Sequence, residues 1–161
     1  MERLQFSTTI HAPRERVWKT LWGKDTYAEW TSPITQNGSI QTDWKKGSSV
    51  LFLDKQGYGM VSEIADLKPN EFVSFKHEGM LKDGEAETAV AIAEGWYGAR
   101  ENYSLRSIED MTEVIIEHDV TGENKARFME LWPKALQRLK EMCEDTAEAA
   151  VADNIHARGL S

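Results

Sequence analysis

Two histidines, a glutamate and a tyrosine stand at strand-compatible spacings in the middle and later part of a 161-residue chain. His77 follows Val73 and Phe75 at a period of two, and His118 follows Val114 and Ile116 in the same way, with Val120 beyond it. If those apolar residues point inward on strands, the histidines point inward with them. Glu101, Tyr103 and Leu105 share one face of a further segment. Folding the chain back at 108–111 would set Glu101 roughly opposite His118. An inward imidazole near a carboxylate can orient a polar group of a ligand or move a proton. The alternative is that these residues sit at strand ends and reach solvent. A metal held by His77, Glu101 and His118 is conceivable, but no pair of histidines at helical spacing or other tight ligand pattern accompanies them. No metal and no cofactor is therefore expected.

Aromatic residues are the second resource. The chain has six Trp, four Tyr and five Phe. Trp30, Phe75, Trp96, Tyr103 and Trp132 could line a cavity, where aromatic walls with a few polar groups suit small apolar ligands. They could equally fill a core. Other chemistries lack their residues: there is no Gly-rich phosphate loop and no nucleophile elbow. Cys143 falls late in the last helical stretch and reads as an inert or exposed thiol. Arg100 and Arg106 could meet an anionic group but on strands more often lie on a solvated face.

The elements that must position these residues are legible from periodicity. Leu4, Phe6, Thr8, Ile10 and Ala12 alternate with polar residues, the mark of a half-buried strand. Pro13 opens a helix with Val17, Trp18, Leu21 and Trp22 as its stripe, and Gly23 ends it. Asp25 is placed to cap a second short helix bearing Tyr27 and Trp30. Strands are expected at 39–44, 50–53, 60–67 and 72–77, separated by Gly, Pro and Asn punctuation. Residues 79–95 read as a long loop with a short helix, either functional or a mobile insertion. Two longer strands, 96–107 and 112–121, precede a helix striped with Phe128, Leu131, Trp132, Ala135, Leu139 and Met142. Pro133 predicts a kink or a break near Trp132. Residues 1–143 make one domain, and 144–161 a tail that extends the helix or is disordered.

Composition narrows the partners. The 27 acidic and 19 basic residues give a net charge of −8. That repels phosphate backbones and anionic bilayers, so neither nucleic acid nor membrane is expected. No apolar run approaches the roughly 20 residues of a membrane span, and no secretory signal pattern opens the chain. A single cysteine permits no intrachain disulfide, which suits the cytoplasm.

The ordered set of motifs resembles the START-like (SRPBCC, helix-grip) superfamily, and within it the branch related to the C-terminal domain of the heat-shock-protein-90 ATPase activator. The matching residues are Ile10-His11-Ala12-Pro13 through Val17-Trp18 and Leu21, Trp30, Asp43-Trp44 and Gly47, and Gly59 to Glu63. Leu67-Lys68-Pro69-Asn70, Trp132, Leu136 and Leu139-Lys140 complete the set. The resemblance implies an α+β fold: a seven-stranded curved antiparallel sheet wrapped around a long C-terminal helix, with two short helices between strands 1 and 2. It also implies that the strand carrying Glu101 lies between those carrying His77 and His118, and that a hydrophobic cavity separates sheet from helix. Superfamily members use that cavity for lipids, hormones, polyketides and other apolar compounds, and some are enzymes. The expected function is binding of a small apolar molecule by Trp30, Phe75, His77, Trp96, Glu101, Tyr103, His118 and Trp132. A cyclase, dehydratase or hydrolase using the histidines with Glu101 is the alternative, as is a chaperone-interaction module or a homodimer.

Overall fold

A computed structural model describes residues 1–83 and 85–157, with side chains through Asp145. The remaining residues of the expected tail, 158–161, lie outside the described residues. Strand β1 (Glu2–Ile10) alternates exposed and half-buried positions before closing on fully buried Ile10. Helices α1 (Arg14–Trp22) and α2 (Lys24–Trp30) follow. Pro13 is the N-cap of α1. Gly23 both ends α1 and caps α2, so Asp25 lies in the first turn of α2 and does not cap it by a side-chain hydrogen bond.

The sheet continues with β2 (Ser39–Gln41), β3 (Ser49–Leu53), β4 (Gly59–Lys68) and β5 (Phe72–Lys82). After β6 (Glu85–Glu87) and α3 (Ala89–Ala93) come β7 (Arg100–Ile108) and β8 (Met111–Val120). The strand order is β1-β8-β7-β5-β4-β3-β2, all antiparallel. Short β6 pairs with β5 off that seven-strand path. There the chain comes so close that a Cβ on Gly79 would lie 2.4 Å from the carbonyl oxygen of Glu87, so position 79 admits no side chain. Register shifts between β4 and β5 at Val61/Ser62 and Ile64/Asp66 mark bulges, which bend and twist a sheet.

Some boundaries differ from expectation. The first meander strand stops at Gln41, and Trp44 adopts a left-handed backbone (φ 58°). That conformation is strained for a bulky residue; the ring is held against Trp22 and Phe75, at 5.2 and 6.2 Å between centroids. Residues 96–99 are loop, not strand. The fourth expected strand runs on to Lys82.

Helix α4 (Gly122–Ala157) lies against the sheet. It is continuous through Pro133, so no first piece ends at Trp132. Pro133 and Met129, whose carbonyl loses its partner to the missing N–H, both sit on the exposed side of the helix. Buried Trp132, Ala135, Leu136, Leu139 and Cys143 form the helix face that meets the core.

Candidate functional site

The antiparallel register assembles a polar row from four neighbouring strands. Ser62 on β4 pairs with His77 on β5, and Glu101 on β7 pairs with His118 on β8. All four are buried. His77 Nε2 lies 3.1 Å from Glu101 Oε1, and His77 Nδ1 lies 2.6 Å from Ser62 Oγ. A carboxylate only accepts, so the proton on His77 that faces Glu101 is on Nε2. The Tyr103 hydroxyl donates to Glu101 Oε2. His118 Nε2 stands 3.4 Å from Glu101 Oε1, close enough for electrostatic attraction yet without hydrogen-bond geometry. His118 Nε2 and the Trp132 indole N–H are both buried polar atoms without a hydrogen-bond partner. Such groups are costly to leave unsatisfied.

The electrostatics of the row follow from burial and proximity. Burial alone would raise the Glu101 pKa. The charge of His118, the hydrogen bond and charge of His77, and the hydrogen bond from Tyr103 outweigh it, and hold the carboxyl down to about 2. At His118 burial wins instead: desolvation lowers its pKa from 6.5, against the pull of Glu101. The Tyr103 hydroxyl is pushed well above 10 by burial and by Glu101, so it stays a donor.

Ser62, His77 and Glu101 form a hydroxyl–imidazole–carboxylate series, but not an accessible nucleophile. Ser62 is fully buried and does not line the cleft described next. Its hydroxyl therefore serves to orient His77.

That cleft has a volume of about 1030 Å³ and opens between the N-terminal turns of α4, the β3–β4 hairpin and the 94–99 loop. His77, Glu101 and His118 form part of its wall, with Trp96, Phe128 and Trp132. Phe52 packs edge-on to His77 at 5.8 Å, and Phe128 edge-on to His118 at 5.0 Å. The Trp132 ring lies 4.8 Å from His118. The arrangement can bind a molecule with an apolar body and present it to a buried imidazole–carboxylate pair.

Of the eight residues expected to contact a ligand, five line the cleft: His77, Trp96, Glu101, His118 and Trp132. Trp30, Phe75 and Tyr103 do not. They are essentially inaccessible and fill the core one layer deeper, because a centre between sheet and helix needs large rings to reach native density. Trp30 also donates its indole N–H to the carbonyl of Leu21 at 2.9 Å. Tyr103 contributes through Glu101. Ser62 and Phe52 were not singled out by sequence, since a serine or phenylalanine in a meander strand carries no distinguishing spacing. Cys143 is fully buried, with its thiol pushed up to about 11 mainly by burial, so it is inert and not exposed. Among the described residues no group of three or more His, Cys, Asp or Glu side chains is arranged to hold a metal ion. None of the described helices is long and apolar enough to cross a membrane.

A family model described as "Activator of Hsp90 ATPase homolog 1-like protein" matches residues 11–144. The chain belongs to this family. The resemblance carried by its motifs is thereby shown, as is the expected helix-grip architecture. Solved structures agree in fold. The solution structure of the Aha1 dimer from Colwellia psychrerythraea superposes with a TM-score of 0.67 at 24% identity, covering 89% of this chain and 97% of that one. CalU16 from Micromonospora echinospora gives 0.58 at 16% identity, covering 87% and 73%. DynU16, a protein of the dynemicin biosynthetic locus, gives 0.64 at 15% identity, covering 88% of this chain and 46% of that one. Among curated proteins, none matches the sequence.

Proposed function

We propose that this member of the family binds a small molecule with an apolar body in the cleft between sheet and helix. The observation that carries the reading is the cleft itself. It has about 1030 Å³ of space, at the upper limit of the usual small-molecule sites, walled by aromatic rings around a buried polar row. One solved structure of the same fold, DynU16, belongs to a protein of the dynemicin biosynthetic locus. Native mass spectrometry of protein purified from its own host tests the proposal. A stoichiometric adduct lost on denaturation supports it. Protein that emerges without an adduct, and whose Tm no apolar compound raises, counts against it, because a ligand at 100 times its Kd should add about 2.7 kcal/mol.

A second reading is acid–base catalysis on the bound molecule. It is favoured by one contact, His77 Nε2 at 3.1 Å from Glu101, at the cleft wall. Turnover that disappears in His77→Gln while binding persists would establish it. The Colwellia relative is a dimer; we extend that state to this chain, and sedimentation equilibrium giving only the monomer mass would remove it. A cytoplasmic setting suits the lone buried thiol of Cys143, and cell fractionation checks it.

A further inference from the structure

Glu101 is the one ionisable carboxylate sunk into the cleft wall, and its hydrogen-bonding capacity is only half used. An ionised carboxylate offers about four lone-pair sites. Protein donors fill two of them, the N–H of His77 at Oε1 and the hydroxyl of Tyr103 at Oε2. His118 Nε2, 3.4 Å away, makes no hydrogen bond. Oε1 therefore keeps an unfilled lone pair at the cleft wall. The rings of Phe52, Phe128 and Trp132 lie 4.8 to 5.8 Å from the two imidazoles beside Glu101. Aromatic faces attract cations, the more so when water is excluded.

The rest of the cleft has the same sign. Its other charged residues are Asp54, Glu94, Asp119 and Glu123 against a single guanidinium, Arg127. Asp119 is neutralised by Arg3 at 2.8 Å. Arg127 is exposed and donates to the carbonyl of Ile34, so its field is screened by solvent. Glu101 is buried and unscreened. An anionic ligand would meet this carboxylate with only the indole N–H of Trp132 and the screened Arg127 to offset it.

We propose that the cleft selects an organic amine. Its ammonium sits against Glu101, and its apolar body lies along Phe52, Phe128 and Trp132. This rests on the small-molecule reading above and names the ligand class. A primary ammonium has three N–H donors, so it can satisfy the open lone pairs of Glu101 and retain one for water.

Calorimetric titration of the full chain at pH 7 with three probes sharing one apolar body tests it. The probes are 1-naphthylmethylamine, 1-naphthylmethanol and 1-naphthoate. The amine is expected to bind at least about tenfold more tightly than the alcohol, as a charge-assisted hydrogen bond exceeds a neutral one. The carboxylate is expected to bind weakest. Equal binding of amine and alcohol, or tighter binding of the carboxylate, overturns the inference and leaves the small-molecule reading standing. Binding of none of the three removes both. Glu101→Gln then locates the preference: the amine should fall to the level of the alcohol. Persistence of the amine preference in a folded Glu101→Gln protein would place its source at the rim, against the inference. Should that variant not fold, the three-probe comparison on the unaltered protein decides alone.

Discussion

Two parts of the space under the sheet draw on the same supply of aromatic residues and end up opposite in character. In one, Trp22, Trp30, Phe75 and Tyr103 meet edge to face, with centroids 4.8 to 6.5 Å apart, and leave no room. In the other, Phe52, Phe128 and Trp132 stand around two imidazoles and enclose a cleft. The filled part is anchored by α1 and α2, whose stripes deliver indoles from the far side. The open part faces the start of α4, the β3–β4 hairpin and the 94–99 loop, and the end of α2 and the residues after it reach it with Tyr27, Thr31, Ile34 and Thr35 but with no indole. Rings alone therefore do not define a site. What distinguishes the open part is a buried carboxylate with unfilled lone pairs, Glu101, set between two imidazoles at the wall of a cleft.

The largest break in this comparison should come from the filled part. Trp30→Ala removes a fully buried indole and its hydrogen bond to Leu21. The expected loss is about 3–5 kcal/mol in urea unfolding. A loss below about 1 kcal/mol would mean this part is not close-packed. Glu101→Leu comes next: it strands the N–H of His77 and the hydroxyl of Tyr103, at about 1–3 kcal/mol for each group left unpaired. Unchanged stability would show the row to be relaxed by water.

Acid should act on the polar row and spare the ring cluster. His118 is depressed below 6.5, so the unfolded chain takes up a proton first, and stability falls as pH drops below 6.5. Glu101 is depressed from 4.5 to about 2; its contribution is complete above 4.5 and is lost between 4.5 and 2. Unfolding midpoints measured from pH 7 to 3 should decline in both windows, and His118→Phe should flatten the upper one. A flat profile across pH 6.5 to 5 in the unaltered protein would contradict the burial of a neutral His118. The smallest effect on stability belongs to Trp96→Ala. Trp96 is half-buried at the cleft wall, and its truncation should cost under about 1 kcal/mol while weakening probe binding several-fold. Equal affinity in both proteins would remove Trp96 from the site.

Much of this was legible because strands alternate. The periods running through Val73–Phe75–His77 and Val114–Ile116–His118 put both histidines inside. The short turn between β7 and β8 fixed Glu101 opposite His118. Depth was not legible. Periodicity says that Trp30, Phe75 and Tyr103 face inward but not whether they touch empty space or other rings, since that depends on what α1 and α2 bring across. Ser62 was invisible for a related reason: its meaning comes from cross-strand pairing with His77, beside a bulge that local spacing does not announce. Of the two outcomes read from Pro133, a kink or a break, the break does not occur, because the residue sits on the exposed side of a continuous helix. Cys143 was underestimated because α4 turns that position fully into the core.

The central claim, that the open part is a binding site and the filled part is not, is tested most directly by NMR titration of the labelled protein with 1-naphthylmethylamine, following imidazole and indole resonances. The account predicts saturable shifts at His118, His77, Trp132 and Trp96, with Trp30 and Trp22 left near their starting positions. Shifts that spare the histidines, or that centre on Trp22 and Trp30, would contradict it.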